Sequence, residues 1–500
     1  MYCSSPGARA DREFITGEYD DENLDGRLKM IHHRTLLKII KTGLFLTLFL
    51  WPIGFMAQTA SEEKLEGFWS GAFVRDGAVQ IVNAEIRHEG GKLKIEMVMP
   101  DRPNATPTVN MIERDANGRL KFDTVYGAAI VALDPVFLEM VGEVGENAPP
   151  LRLHLKRALR PPMPRITTEE VTFRSGEVVL SGTLVLPEGA GPHPLALQVH
   201  GRGCQARGGY LRRALMLARY GVAGLAFDKR GVGASKGRCE SATIEDETND
   251  VLAAIDFLAG RPEIDRTQIG TISNSAGGWV VPRAAARSRI PLAFIVTLVG
   301  PATSVREQQL DNARYIGREL KLSAEDQKPL MRYIELMFAE GDPAAQFTEM
   351  RQLITQGEKT GWAQEFLDTT DVAPSAEEIK NLWVRRFNYD PRADLKRIRV
   401  PFLAIYGESD RVVPPAENVP ELRRLLTEAG NRNFRIVSIP EAGHGLDQGQ
   451  RLQRLPGGKG NMEIYYWKFG RIAPTYLQEL VDFLQANLRI NKRTLAPAQR

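Results

Sequence analysis

Between residues 166 and 490 the chain returns repeatedly to short, mostly apolar runs: 195–199, 222–227, 269–272, 294–299, 402–406 and 434–439. A strand with one wet face alternates polar and apolar residues. These runs do not alternate, so both of their faces must be covered. Stretches of helical periodicity separate them. Residues 250–259 place Val251, Ile255 and Leu258 on one face, and the last such stretch carries Leu477, Leu480, Val481, Leu484 and Leu488, a 3.6-residue stripe. Strands alternating with helices predict an α/β fold: a mostly parallel sheet clad on both sides. A hairpin, 171–174 with 178–186, is expected to open it.

One connection is far too long for a simple crossover. Residues 303–390 are helical in character, with Ser323-Ala-Glu-Asp326 and Ser375-Ala-Glu-Glu378 each reading as a helix start with a capping box. The segment is expected to form a helical cap over the sheet's C-terminal edge, where such folds bind ligands.

The chain has 500 residues, more than one ordinary core needs. Residues 61–160 predict a separate small all-β domain. Leu93, Ile95 and Met97 alternate with Lys92, Lys94 and Glu96, and Leu151, Leu153 and Leu155 repeat the pattern. Gly90-Gly91 marks a turn, and Asn117-Gly118 predicts a two-residue hairpin. Several short strands with regular turns suggest a small sandwich or barrel. Pro161, Pro162 and Pro164 cannot continue a sheet and predict a linker over 161–168; the α/β domain is then expected over 169–490, with 491–500 as a tail. Residues 1–29 are charged and aperiodic, an extension expected to be untranslated or unstructured. Residues 30–60 follow a basic start with an apolar run from Gly43 to Met56 and small residues at Ala57 and Ala60, the layout of a secretory signal peptide. The expectation is a secreted protein, periplasmic or extracellular, with no stable membrane insertion unless that segment stays uncleaved.

Lys and Arg number 65 against 62 Asp and Glu, a net charge of +3. No basic field draws in nucleic acid. Three cysteines, Cys3, Cys204 and Cys239, neither build a disulfide scaffold nor space themselves for zinc. A small molecule is the expected partner.

The candidate chemistry sits in the loops that follow the apolar runs. The run 269–272 leads into Ser273-Asn274-Ser275-Ala276-Gly277-Gly278 and then a helix. Strand, sharp turn and helix expose the middle hydroxyl, which nominates Ser275 as nucleophile, with Ser273 as the poorer alternative. The run 195–199 is followed by His200-Gly201-Arg202-Gly203. Backbone amides of Arg202 and Ala276 are the candidate pair for a developing oxyanion, with His200 shaping the loop. After 402–406 comes Gly407-Glu408-Ser409-Asp410, which offers Asp410 as acid and Glu408 as its rival. After 434–439 comes Gly443-His444-Gly445, which offers His444 as base. The chain order Ser, Asp, His is harder to obtain by accident than any single motif.

The strings His200-Gly-Arg-Gly203, Asp228-Lys-Arg-Gly-Val-Gly-Ala-Ser235, Ser273-Asn-Ser-Ala-Gly277, Gly407-Glu-Ser-Asp410 and Gly443-His444 resemble the α/β-hydrolase superfamily. The closest flavour is that of bacterial esterases related to dienelactone hydrolases and prolyl-oligopeptidase-type catalytic domains. The resemblance covers 166–490 and leaves the β domain aside. It departs from the usual pattern at Ser273, where the family carries glycine. It implies acyl transfer to water through an acyl-enzyme, with no metal or organic cofactor. A β-propeller of the oligopeptidase kind does not fit ahead of it, since ~100 residues supply at most two blades of ~40–50. That favours a carboxylic ester over a peptide, amide or thioester; a secreted binding protein of the same fold is the non-enzymatic alternative. Cys204 and Cys239 lie in loops expected at the same sheet edge, where an oxidising compartment would allow a disulfide.

Overall fold

Nine antiparallel strands make up the first sheet: β1 (Gly67–Arg75), β2 (Ala78–Glu89), β3 (Lys92–Val98), β4 (Thr108–Met111), β5 (Glu113–Arg114), β6 (Leu120–Thr124), β7 (Gly127–Asp134), β8 (Glu139–Val144) and β9 (Leu151–Arg157). The computed structural model describes residues 65–75, 78–99, 108–145, 151–160, 165–448 and 471–490. The expected extension 1–29, the signal-like segment 30–60, the prolines at 161–164 and the tail 491–500 lie outside the described residues. Strand order is β4-β3-β2-β1-β9-β8-β7-β6-β5. β4 and β5 therefore stand at opposite ends of the order, yet only Ile112 separates them in the chain. The two ends must meet, so the sheet curls into a barrel, and the Asn110 side chain of β4 donates to the Asp123 carbonyl of β6 across the seam at 2.9 Å. Trp69, Phe73, Ile95, Phe122, Val131 and Leu153 fill the interior. Their neighbours along each strand face out, the alternation seen in Leu151, Leu153 and Leu155 of β9.

Gly90 and Gly91 join β2 to β3 with Glu89 paired to Lys92. Both have positive φ, 62° and 76°, the conformation a two-residue turn of this hand requires. Asn117-Gly118 behaves differently. Arg114 pairs with Leu120, which leaves a loop over 115–119 instead of two residues. The Asp115 carboxylate accepts from the amides of Asn117 and Arg119, each at 2.9 Å. A side chain that satisfies loop amides permits the longer turn.

The second sheet has eight strands: β10 (Thr167–Ser175), β11 (Val178–Leu186), β12 (His193–Val199), β13 (Ala223–Phe227), β14 (Ile264–Asn274), β15 (Ile295–Leu298), β16 (Phe402–Gly407) and β17 (Phe434–Ile439). The order is β10-β11-β13-β12-β14-β15-β16-β17. β11 runs antiparallel to β10 and to β13; every later pairing is parallel. The chain goes from β12 outward to β13, then back across to β14. This reversal opens a crevice beyond the C-terminal ends of β12 and β14. Each apolar run of the sequence lies on one of these strands. β10 begins at Thr167, inside the stretch expected to be linker.

The helices are α1 (Gly208–Ala218), α2 (Ile244–Ala259), α3 (Gly277–Arg287), α4 (Val305–Glu319), α5 (Ala324–Phe338), α6 (Pro343–Thr360), α7 (Trp362–Phe366), α8 (Trp383–Arg386), α9 (Arg392–Leu395), α10 (Pro415–Glu428) and α11 (Pro474–Asn487). Val251 and Ile255 of α2, Val280 of α3 and Leu422 of α10 pack in one core. Leu217 of α1 with Leu480 and Leu484 of α11 pack in the other. α2 starts at Ile244 rather than 250 because Thr243 and Asp246 cap it reciprocally. No described helix is long and apolar enough to cross a membrane.

Within 303–390, Ser323 caps α5 as expected by accepting from the Asp326 amide at 3.1 Å. Ser375 does not start an α-helix. A five-residue 3-10 turn, Glu377–Asn381, takes its place, with the Ser375 hydroxyl donating to the Glu377 carboxylate instead of accepting from a helix amide. The extended backbone of Leu382, ψ 134°, then stops the turn. α4 has the full capping box, Ser304 with Glu307. Arg392 binds Glu307 at 2.8 Å and, against partial burial, holds its carboxyl down to about 2, with Ser304 assisting. A depressed carboxyl contributes stability that is present above its usual 4.5 and lost as pH falls through the folded value. Glu307→Gln is therefore expected to lower the melting temperature at pH 7, with the difference from wild type closing as the pH approaches 2. A difference that persists unchanged in acid would contradict the pairing.

Candidate active site

The C-terminal end of β14 delivers Ser275 into the crevice. Its φ is 48°, a left-handed value that costs a non-glycine residue free energy and persists only where the surroundings enforce it. They do so by hydrogen bonds and close packing. The Ser275 amide donates to the Leu298 carbonyl of β15 at 2.9 Å, and its own carbonyl accepts from Gly278 at 2.7 Å. A Cβ on Gly277 would lie 2.7 Å from the His200 carbonyl oxygen, and one on Gly278 would lie 2.7 Å from the Gly300 Cα. Both positions need glycine for that reason. Serine is tolerated at 273 because its side chain turns away, fully buried, and donates to the Val296 carbonyl at 3.3 Å.

His444 lies in the loop after β17. Its Nε2 is 2.9 Å from Ser275 Oγ and its Nδ1 is 2.8 Å from Asp410 Oδ2. An ionised carboxylate can only accept, so Nδ1 carries the proton and Nε2 is left as the acceptor facing the hydroxyl. Asp410 is fully buried. Its second oxygen accepts from the amides of Val412 and Val413 at 2.8 and 3.0 Å, so the buried charge is compensated on both sides. Glu408, the rival acid, is exposed. The two loops are laced together: the Glu408 amide donates to the Ile439 carbonyl and that of Ser409 to the Ala442 carbonyl. The structure thus brings Ser275, His444 and Asp410 into one chain of hydrogen bonds and leaves Ser273 and Glu408 outside it.

The loop after β12 lies against the same turn; a Cβ on Gly201 would be 3.3 Å from that of Ser275. The Gly201 amide donates to Tyr210 Oη at 3.0 Å, and Lys229 Nζ donates to the Gly201 carbonyl at 2.7 Å. Lys229 is buried and paired with Glu247 at 2.6 Å. Among the described residues, neither the Arg202 nor the Ala276 amide donates to a backbone carbonyl. Ala276 stands at the N-terminus of α3, where amides point outward unpaired. Cys204 and Cys239 form a disulfide, Cα–Cα 5.7 Å, that joins the loop after β12 to the loop after β13. His200 is buried against Tyr210 and Phe227. Burial, reinforced by Lys229 and Arg213, pushes its pKa well below the usual imidazole range, so it stays neutral and outside the Ser–His–Asp chain.

Two supports escaped the sequence reading. Arg213 of α1 is buried, with Nε donating to Gln198 at 2.6 Å and Nη2 to the Asn274 side chain at 2.8 Å, which braces the turn one residue before Ser275. The guanidinium of Arg202 reaches up into 303–390 to meet Asp371 and Asp368. Asp228-Lys-Arg-Gly was legible as a structural turn, and its lysine is the part that touches the site.

Residues 191–448 match the family model described as serine aminopeptidase, S33 (Hydrolase_4). The chain belongs to that family. The S33 match spans every strand from β12 to β17 and all five predicted site residues. Esterase EstD of Thermotoga maritima is 22% identical over 321 residues, 61% of this chain and 65% of EstD. The mitochondrial palmitoyl-protein thioesterase ABHD10 of Bos taurus is 41% identical over 86 residues, 17% of this chain and 25% of the relative. The chain thus spans less than two thirds of the length of either relative. Among solved structures, the Pyrococcus furiosus esterase Pf2001 is similar at 17% identity with a TM-score of 0.41, covering 65% of this chain and 92% of that one.

The disulfide is open to direct measurement. Peptide mapping of the unreduced protein is expected to recover Cys204 and Cys239 in one cross-linked fragment. Recovery of both as free thiols from material folded under oxidising conditions would contradict it.

Proposed function

We propose that this S33-family chain is a serine hydrolase that cleaves carboxylic esters through an acyl-enzyme. The observation that carries the reading is the single imidazole of His444 held between Ser275 Oγ and Asp410, with the serine strained at the apex of a strand-to-helix turn. Ser275 Oγ attacks the carbonyl carbon while His444 Nε2 takes its proton. Asp410 holds the ring and stabilises the imidazolium that forms. The amides of Arg202 and Ala276 receive the negative oxygen of the tetrahedral intermediate. His444 then gives its proton to the departing alcohol, and water, activated by the same imidazole, releases the acid and restores Ser275.

The names of two relatives, an esterase and a palmitoyl-protein thioesterase, support an oxygen or sulfur ester as the bond cleaved. The family's own description favours a second reading, an amide or N-terminal peptide bond, on the same three side chains. A disulfide at Cys204–Cys239 supports a location outside the reducing cytoplasm, in line with the signal-like composition of 30–60.

The purified protein is expected to hydrolyse short p-nitrophenyl esters faster than the matching p-nitroanilides, and to be labelled by a fluorophosphonate at Ser275. Ser275→Ala abolishes both signals, and Asp410→Asn lowers kcat by about 10,000-fold by leaving the imidazole in the wrong tautomer. Ester hydrolysis that survives Ser275→Ala would refute the assignment, and anilide turnover above ester turnover would favour the second reading.

A further inference from the structure

The residue whose amide is assigned to the oxyanion hole is also the one whose side chain leaves the loop. The Arg202 guanidinium forks across two carboxylates, Nη1 lying 3.2 and 3.5 Å from the two oxygens of Asp371 and Nη2 pairing with Asp368. Its plane lies over the Trp383 ring, 4.8 Å from the centroid. Asp371 is a buried carboxylate, 1% exposed, wired into several parts of the helical segment. It accepts from Trp383 Nε1 at 2.6 Å and from the Asp368 amide at 3.1 Å, and its backbone carbonyl accepts from Tyr333 of α5 at 2.9 Å. Trp383 in turn packs on Trp279 of α3, ring centroids 6.2 Å apart. α3 is the helix whose N-terminus carries Ala276. Residues 368–383 thus touch the Arg202 side chain through ion pairs and the helix that starts after Ala276 through an aromatic contact.

A carboxylate buried only to cover the sheet would be replaced by an apolar side chain at no loss, because desolvating a charge is expensive unless its partner gives something back. Here the partner is the loop beside Ser275. A forked, stacked arginine fixes direction as well as distance, which a lysine cannot do. We propose that Asp371 is a positioning residue: by clamping the Arg202 guanidinium it holds the Arg202 amide in the oxyanion hole, so that the cap governs turnover and not only access. This rests on the ester-hydrolase reading above.

The test uses the full chain, p-nitrophenyl acetate as substrate and phenylboronic acid as the probe, since boron adds to the serine and places an oxygen in the hole. Removing a hole donor outright costs on the order of 100- to 1000-fold, so misplacing one in Asp371→Asn or Arg202→Met is expected to lower kcat about tenfold. KM should stay within about twofold, and phenylboronic acid affinity should fall by the same factor as kcat/KM. Arg202→Lys recovers part of the loss, and the Asp371→Asn/Arg202→Met double variant is no worse than the poorer single one. The Arg202 side chain is 30% exposed, so if Asp371→Asn fails to fold, the Arg202 variants carry the result. Unchanged kcat and boronate affinity in a folded Arg202→Met protein overturn the proposal. Ester turnover that survives Ser275→Ala overturns the underlying hydrolase reading instead, and the proposal falls with it.

Discussion

An imidazole with one proton has one donor and one acceptor, on opposite sides of a rigid ring. It can join a carboxylate to a hydroxyl only when both lie close to its plane at bonding distance. In this chain the three groups come from loops after β14, β16 and β17, and 169 residues separate Ser275 from His444. Nothing local brings them together. The parallel sheet does, because strands in register end at a common edge and every crossover returns the chain to it. The apolar runs that form that sheet, covered on both faces by helices, are therefore a precondition of the 2.8 and 2.9 Å contacts at its rim.

Most of the surrounding architecture locks that edge in place. Gly407 lies so close to the His444 loop that a Cβ would meet the Ala442 carbonyl oxygen at 2.3 Å. Lys229 and Tyr210 hold the carbonyl and the amide of Gly201, and the Cys204–Cys239 bond fixes the loop after β12 at a second point. Buried polar groups of this kind cost free energy unless every one finds a partner. They cluster here because an aligned loop needs directional bonds, which apolar packing does not supply.

What the sequence made legible follows the range of the interaction. Strand runs, the helical stripe of α11 and the Gly90-Gly91 turn are properties of short windows, and each lies where its pattern pointed. The Ser, Asp and His loops were legible because each follows a strand of the sheet within a few residues. The Arg202–Asp371 and Arg213–Asn274 contacts were not, since they join residues 169 and 61 apart with no periodicity in between. Local signals also misled where a side chain had a competing option. Asp115 captured the amides that would have closed a two-residue turn at Asn117-Gly118, and Ser375 gave its hydroxyl to Glu377 rather than to a helix N-terminus. The start of α2 was missed because the apolar stripe that marks the helix begins only at Val251, while its first turn carries the charged Glu245, Asp246 and Glu247.

The barrel's strand order has a topological consequence. β1 and β9 are neighbours in the middle of the order, with Trp69 facing Arg157. The polypeptide thus enters the barrel and leaves it side by side. A body whose inlet adjoins its outlet can be spliced into or out of a host chain without stretching either. Such a barrel is portable in the topological sense: its strand ladder closes its own path and borrows no strand from the sheet that follows.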